Sequence, residues 1–155
     1  MWAVPFAWPH VRPSIVSAAD VSVEALMDLD CRLRDDVPGS DGWQPDLAWF
    51  REENHDSPYF DPEAYLVART DGQDAGLVRI WNGPRPLPRL GLIAVLPAYR
   101  RRGIAQALLA QAINTWHQRG GSTITAEVDA DNEASNALLT AFGGRVTGGT
   151  IELAR

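Results

Sequence analysis

Three consecutive cations and a glycine, Arg100-Arg101-Arg102-Gly103, stand where a short apolar run gives way to a helical pattern. The run over 90–95, Leu-Gly-Leu-Ile-Ala-Val, has the character of a buried strand. Pro97, with no N–H to give to a ladder, stops it. From Ile104 the apolar period is helical: Ile104, Leu108, Ala112 and Trp116 form one stripe, with Ala105, Leu109 and Ile113 beside it. Arginines and a glycine at the opening of a helix bring free backbone N–H groups, the positive end of the helix dipole and side-chain cations to one point. That combination suits a phosphate group. The same arginines would also serve a nucleic-acid patch, with salt-dependent binding as its mark. A net charge of −6 weighs against that reading, so no nucleic-acid partner is expected.

Outside this segment, composition does most of the excluding. At 155 residues the chain has the length of one domain with its own core. The balance of 45% hydrophobic and 22% charged residues is that of a soluble globular protein. No apolar stretch approaches the ~20 residues of a membrane span, and no membrane partner is expected. The apolar start carries Pro5 and Pro9 and no basic region, so it does not read as a signal peptide. A single cysteine, Cys31, rules out an internal disulfide and fits a cytoplasmic location, with an inert, partly buried thiol. His10, His55 and His117 are scattered without metal-ligand spacing, so no metal is expected. The chain has no P-loop, nucleophile elbow or dinucleotide-binding glycine fingerprint. Its acidic balance is compatible with an amine substrate without pointing to one, and a homodimer is equally compatible.

The elements that must position the arginines follow from period and punctuation. Residues 1–12 form an irregular, Trp- and Pro-rich arm ahead of a domain over 13–155. A strand is expected over 14–18, a helix over 21–34, a Pro/Gly/Asp-rich loop over 35–43 and a helix over 46–53. A meander follows, with strands over 64–69, 75–81 and 89–95 and a hairpin turn at 70–73. The helix over 104–119 ends at Gly120-Gly121, and a β-branched strand over 123–128 follows it as a parallel crossover. A last helix covers 132–142, and short strands are expected over 145–147 and 151–154. The fold class is α/β with a mixed sheet.

Arg100-x-x-Gly103-x-Ala105, placed after a strand ending in Ala94-Val95, resembles the acyl-CoA-binding motif of the GNAT superfamily of N-acetyltransferases. The element order matches that fold from residue 13 onward. A second stretch, from Ala126-Glu127-Val128 through Asn132, Ser135 and Leu138-Leu139 to Gly143, is similar to the family's other signature. The resemblance implies acetyl-CoA as cosubstrate and a small-molecule or peptide amine as acceptor, acetylated by direct attack in a ternary complex. Residues 100–105 (Arg100, Arg101, Arg102, Gly103, Ile104 and Ala105) would then hold the pyrophosphate. Backbone groups of Ala94, Val95 and Leu96 would hold the pantetheine where the fourth and fifth strands part, just after Val95. A backbone N–H near Leu96 would face the thioester oxyanion. Asn132 and Ser135 fall at cofactor-contact positions, although Asn132 also suits plain helix capping.

The same resemblance implies a base that frees the amine of its proton. Histone-type members carry a glutamate at the position of Arg89, which cannot serve; N-terminal-type members place the base where Glu127 stands. A structural strand glutamate is the competing reading. Arg79 and Trp81 on the third strand, with Trp43 and Tyr59 in loops, match positions that wall the acceptor groove, or else are core and rim. Arg89 is expected to orient an acceptor carboxylate or to pair with a nearby acid. Leu139 occupies the place of the tyrosine that many members use to protonate the leaving thiolate, so the alternative is an acyl-CoA-binding regulatory module with weak or no catalysis.

Overall fold

A computed structural model of the chain describes residues 12–35 and 45–148. Most of the expected arm over 1–12, Trp43 and the expected strand over 151–154 lie outside the described residues. The elements are β1 (Ser14–Ser17), α1 (Val23–Arg34), α2 (Leu47–Glu53), β2 (Tyr65–Thr70), β3 (Gln73–Trp81), β4 (Arg89–Val95), α3 (Ile104–Gln118), β5 (Thr125–Ala126) and α4 (Glu133–Ala141). Single 3₁₀ turns, Ala18–Asp20 and Pro97–Tyr99, follow β1 and β4. The strands lie side by side in chain order, antiparallel from β1 to β4, with β5 parallel to β4. The mixed α/β sheet is as the sequence predicts.

Local chemistry sets the helix ends. Ser22 and Asp46 cap α1 and α2 by accepting from the N–H groups of Ala25 and Trp49. Glu24 in the first turn of α1, and Arg32 and Arg34 in its last, complement the helix dipole. Alternation along the strands divides the core into two layers. Tyr65, Val67, Leu77, Leu92 and Leu96 pack against Leu26, Leu29, Leu33 and Phe50 of α1 and α2. Leu66, Ala68, Val78, Ile80, Leu90 and Val95 pack against Ile104, Leu108, Leu109 and Ala112 of α3, with Leu138 and Leu139 of α4 and Phe142 just after it at the margin. The central strands are buried on both faces, which is why they lack polar alternation. Cys31 is partly buried, and its thiol is pushed up by burial and then by Asp30 and Asp28, so it stays protonated and inert. No helix among the described residues is long and apolar enough to cross a membrane.

Two expectations need correction. The strand expected over 123–128 is reduced to Thr125–Ala126, paired only as Arg89↔Thr125 and Leu90↔Ala126. No strand forms over 145–147. The first correction has a visible cause in β4. Ile80 pairs with Leu90 and Arg79 with Leu92, so Gly91 is an extra, unpaired residue on β4. A bulge of this kind bends its strand. β4 therefore leaves β5 after Leu90, several residues earlier than the expected parting after Val95.

Candidate active site

The α3 N-terminus is entered through a tight left-handed turn. Arg101 and Gly103 both take the left-handed conformation, with φ of 63° and 76°. Such a φ costs a residue with a Cβ roughly 1 kcal/mol or more, and glycine little. Ala107 is the first residue to bond back, its N–H donating to Gly103 O at 3.0 Å. The N–H groups of Ile104, Ala105 and Gln106 consequently have no acceptor within the helix. Buried Ile104 anchors this turn to the sheet. The three arginines, equal in the sequence, have different surroundings. Arg100 donates from Nε to the Val95 carbonyl at 3.0 Å. Arg102 lies over the Tyr99 ring, 5.4 Å from its centroid, and 3.5 Å from Asp71. Arg101 is exposed and has no ion pair among the described residues.

The edge opened by the Gly91 bulge leads toward that turn. Leu96 N–H donates to Ala75 O at 2.8 Å, and the register continues with Ala94 opposite Leu77. Because N–H and C=O of one strand residue point to the same side, Ala94 turns both polar groups toward β3, whereas Leu96, just past the strand, gives β3 only its N–H and accepts the Tyr99 N–H at its carbonyl, at 2.9 Å. Ile93 and Val95 turn theirs toward the gap. Of the three residues singled out in the sequence, Val95 therefore faces the open edge and Ala94 and Leu96 do not. Ile93 was missed, because alternation can be assigned only once the bulge is located.

Arg79, Trp81, Arg89 and Gly91 share the sheet face that carries α1 and α2. A Cβ on Gly91 would come within 2.6 Å of Cδ1 and Nε1 of Trp81, so the absence of a side chain lets that ring lie over the bulge. The Arg79 guanidinium carbon stands 4.4 Å from the Trp81 ring centroid and 5.3 Å from that of Tyr65. Arg79 Nη1 donates to Oδ1 of buried Asn54, which also receives the Tyr65 hydroxyl at 3.4 Å. Asn54 in turn donates to Phe50 O at 2.8 Å. Burial pushes the Tyr65 hydroxyl up to about 12, although Arg79 pulls it down, so it remains a donor. Neither Asn54 nor Tyr65 was singled out in the sequence: the expected hairpin sets β2 beside β3, but the pairing of Tyr65 with Arg79 depends on the bulge at Ala68/Arg69, and no motif reveals the approach of Asn54.

Glu127 lies just past β5 and is exposed, with its carboxylate 2.7 Å from Arg85 Nη1. That hydrogen bond, and secondarily the charges of Arg85 and Arg89, hold its carboxyl below the usual range. Arg89 stands opposite Trp81 in the β3–β4 ladder. Glu127 follows the residue paired with Leu90, where β4 and β5 part, close enough to Arg89 for that charge to act on its carboxyl.

At α4, Asn132 Oδ1 accepts the Ser135 N–H at 3.1 Å as the helix cap, and Asn136 donates to the carbonyls of Asp129 and Asn132, each at 2.9 Å. Leu139 is partly buried against the α3 layer. Leu139→Ala is expected to lower stability by about 2 kcal/mol, the low end for such a truncation because the side chain is only partly covered. Chemical unfolding measures that loss. The single-turnover rate should be unchanged, because an alkyl group transfers no proton; a hundredfold drop in a folded variant would contradict this.

Comparison with known proteins gives concordant results. A family model described as the acetyltransferase (GNAT) family matches residues 24–143. The sequence has no match among curated proteins. Among solved structures, the chain is similar to the aminoglycoside antibiotic 6'-N-acetyltransferase of Acinetobacter haemolyticus, at 25% identity over 92% of this chain and 97% of that one, with a TM-score of 0.65. It is also similar in fold to AAC(6')-Iy in complex with the bisubstrate analog CoA-S-monomethyl-acetylneamine, at 22% identity over 93% and 98% of the two chains and a TM-score of 0.69. A third similar fold is that of ribosomal-protein-alanine N-acetyltransferase from Brucella melitensis, at 18% identity over 93% and 98% of the chains and a TM-score of 0.63.

Proposed function

Because the chain belongs to the GNAT acetyltransferase family, we propose that it transfers the acetyl group of acetyl-CoA to a primary amine by direct attack in a ternary complex. The observation that carries this reading is the continuity of two features. The bulge at Gly91 frees one edge of β4, and that edge leads into the left-handed turn at Gly103. Acetyl-CoA, when bound, supplies a thioester carbonyl open to attack by an amine. Its pyrophosphate fits the N–H groups of Ile104, Ala105 and Gln106 beside exposed Arg101. Its pantetheine amides fit the edge groups of Ile93 and the N–H of Val95, as an added strand would, the Val95 carbonyl being bonded to Arg100. Asn132 and Ser135, already engaged in the α4 cap, contribute through the position of that helix.

On the acceptor side, Trp81 and Arg79 form a wall and Arg89 and Glu127 stand at its end. Glu127, an exposed carboxylate, attracts the incoming ammonium and takes its proton, directly or through one water. Removing Arg85 should return the Glu127 carboxyl toward its ordinary range. In Arg85→Ala, the acid limb of the kcat/KM profile should therefore move to higher pH. An unmoved limb would separate Glu127 from proton transfer. The reading itself is tested by product identity: each acetyl-CoA consumed should yield one N-acetylated amine. Consumption without amide product would indicate simple thioester hydrolysis.

A binding module without catalysis is the second reading. It is favoured by Leu139 and by the engagement of Glu127 with Arg85. The two readings divide on whether an amine accelerates thiol release.

A further inference from the structure

Arg79 is a cation in neutral company. It is partly buried, and its partners among the described residues are the Asn54 amide oxygen and the faces of Trp81 and Tyr65. Its Nε is buried and has no hydrogen-bond partner. No acid among the described residues is ion-paired with Arg79: Asp30 of α1, whose charge reaches the Tyr65 hydroxyl, bonds Arg34 Nε through Oδ1 at 2.5 Å and keeps a buried Oδ2 without a partner, and Glu127 is held by Arg85. A guanidinium withdrawn from water without a counter-charge is unfavourable unless an anion reaches it. With Nη1 given to Asn54, the edge left over is the Nε–Nη2 pair, which matches the two oxygens of a carboxylate. The Trp81 ring beneath Arg79 also covers Gly91, so the cation stands one ring away from the point where β4 and β5 part. Arg89, across from Trp81 on the same face, adds positive charge to that side.

We infer that the acceptor carries a carboxylate and that Arg79, stacked on Trp81 and fixed by Asn54, binds it. This rests on the acetyl-transfer reading and deepens it, naming amino acids or peptides with a free carboxylate as the acceptor class. Polycationic acceptors are disfavoured by the same pair of arginines.

The test compares a series of ω-amino acids with their amides as acceptors, by kcat/KM. The wild type should prefer the acid at least tenfold at the best chain length, with the difference in KM. In Arg79→Met the ratio of acid to amide should fall to about one, and Arg79→Lys should restore only part of it. Asn54→Asp, which supplies Arg79 with an internal carboxylate, should also erase the preference. Equal use of acid and amide by the wild type, or a preference surviving in Arg79→Met, would overturn the inference. The acetyl-CoA melting shift is read on each variant, so loss of the transfer reading is seen separately. If no amine in the series reacts, calorimetry with glutarate on the CoA-loaded protein decides: binding abolished in Arg79→Met supports the site, and no binding to the wild type removes it.

Discussion

Replacing Glu127 by Gln is expected to lower turnover about a hundredfold near neutral pH while leaving acetyl-CoA affinity unchanged. General-base assistance is typically worth about 10²–10⁴-fold. The low end applies because Arg85 holds this carboxyl below its usual range, and a weaker base assists less. The amide preserves shape and hydrogen-bonding reach, so what disappears is the charge and the capacity to take a proton. Because the side chain is exposed, the substitution should leave the fold intact. The deficit should narrow as pH rises, since more amine is then already deprotonated. Single-turnover rates across pH, with acetyl-CoA binding measured in parallel, check both parts. Wild-type turnover in the Gln variant at neutral pH would withdraw the assignment and leave solvent as the proton acceptor.

The second large effect lies at the α3 N-terminus. Acetyl-CoA at a hundredfold excess over its dissociation constant stabilises a protein by about 2.7 kcal/mol. For a chain of this size that corresponds to roughly 5–10 °C in Tm. Gly103→Glu should abolish the whole shift, because it sets a carboxylate among the N–H groups that face the pyrophosphate. Any side chain here also carries the strain of a φ of 76°, about 1–2 kcal/mol. Gly103→Ala carries that strain without the charge and is the control. It should melt lower than wild type yet keep most of the ligand-induced shift. A full shift in the Glu variant would move the phosphate site away from this turn.

The sequence made the strands and helices up to α3 legible for physical reasons that can be named. Apolar runs bounded by Asp71-Gly72 and Pro97 end where their backbone demands, and the 3.6-residue stripe of Ile104, Leu108 and Ala112 fixes the buried face of α3. β5 was read as too long because Thr123 to Val128 has strand composition throughout. Pairing, however, depends on a neighbour that the Gly91 bulge has already turned aside. The same bulge, invisible to a period-2 reading, decides that Ile93 and Val95 rather than Ala94 and Leu96 face the gap. The proposed phosphate cradle could be read from the sequence because its chemistry is local, carried by consecutive residues. The proposed acceptor wall was only partly legible: Arg79 and Trp81 stood out, but Asn54 reaches Arg79 from 25 positions away, and sequence patterns do not report such contacts. Nor did the sequence distinguish three adjacent arginines whose environments prove unlike.

The most direct measurement is the rate of free thiol release from acetyl-CoA over a panel of primary amines, compared with the rate without amine. The account predicts that at least one amine raises the rate well above hydrolysis, saturably in both substrates, and that carboxylate-bearing amines lead the panel. Saturable acetyl-CoA binding with no amine able to raise thiol release would contradict it and make the chain an acyl-CoA-binding module.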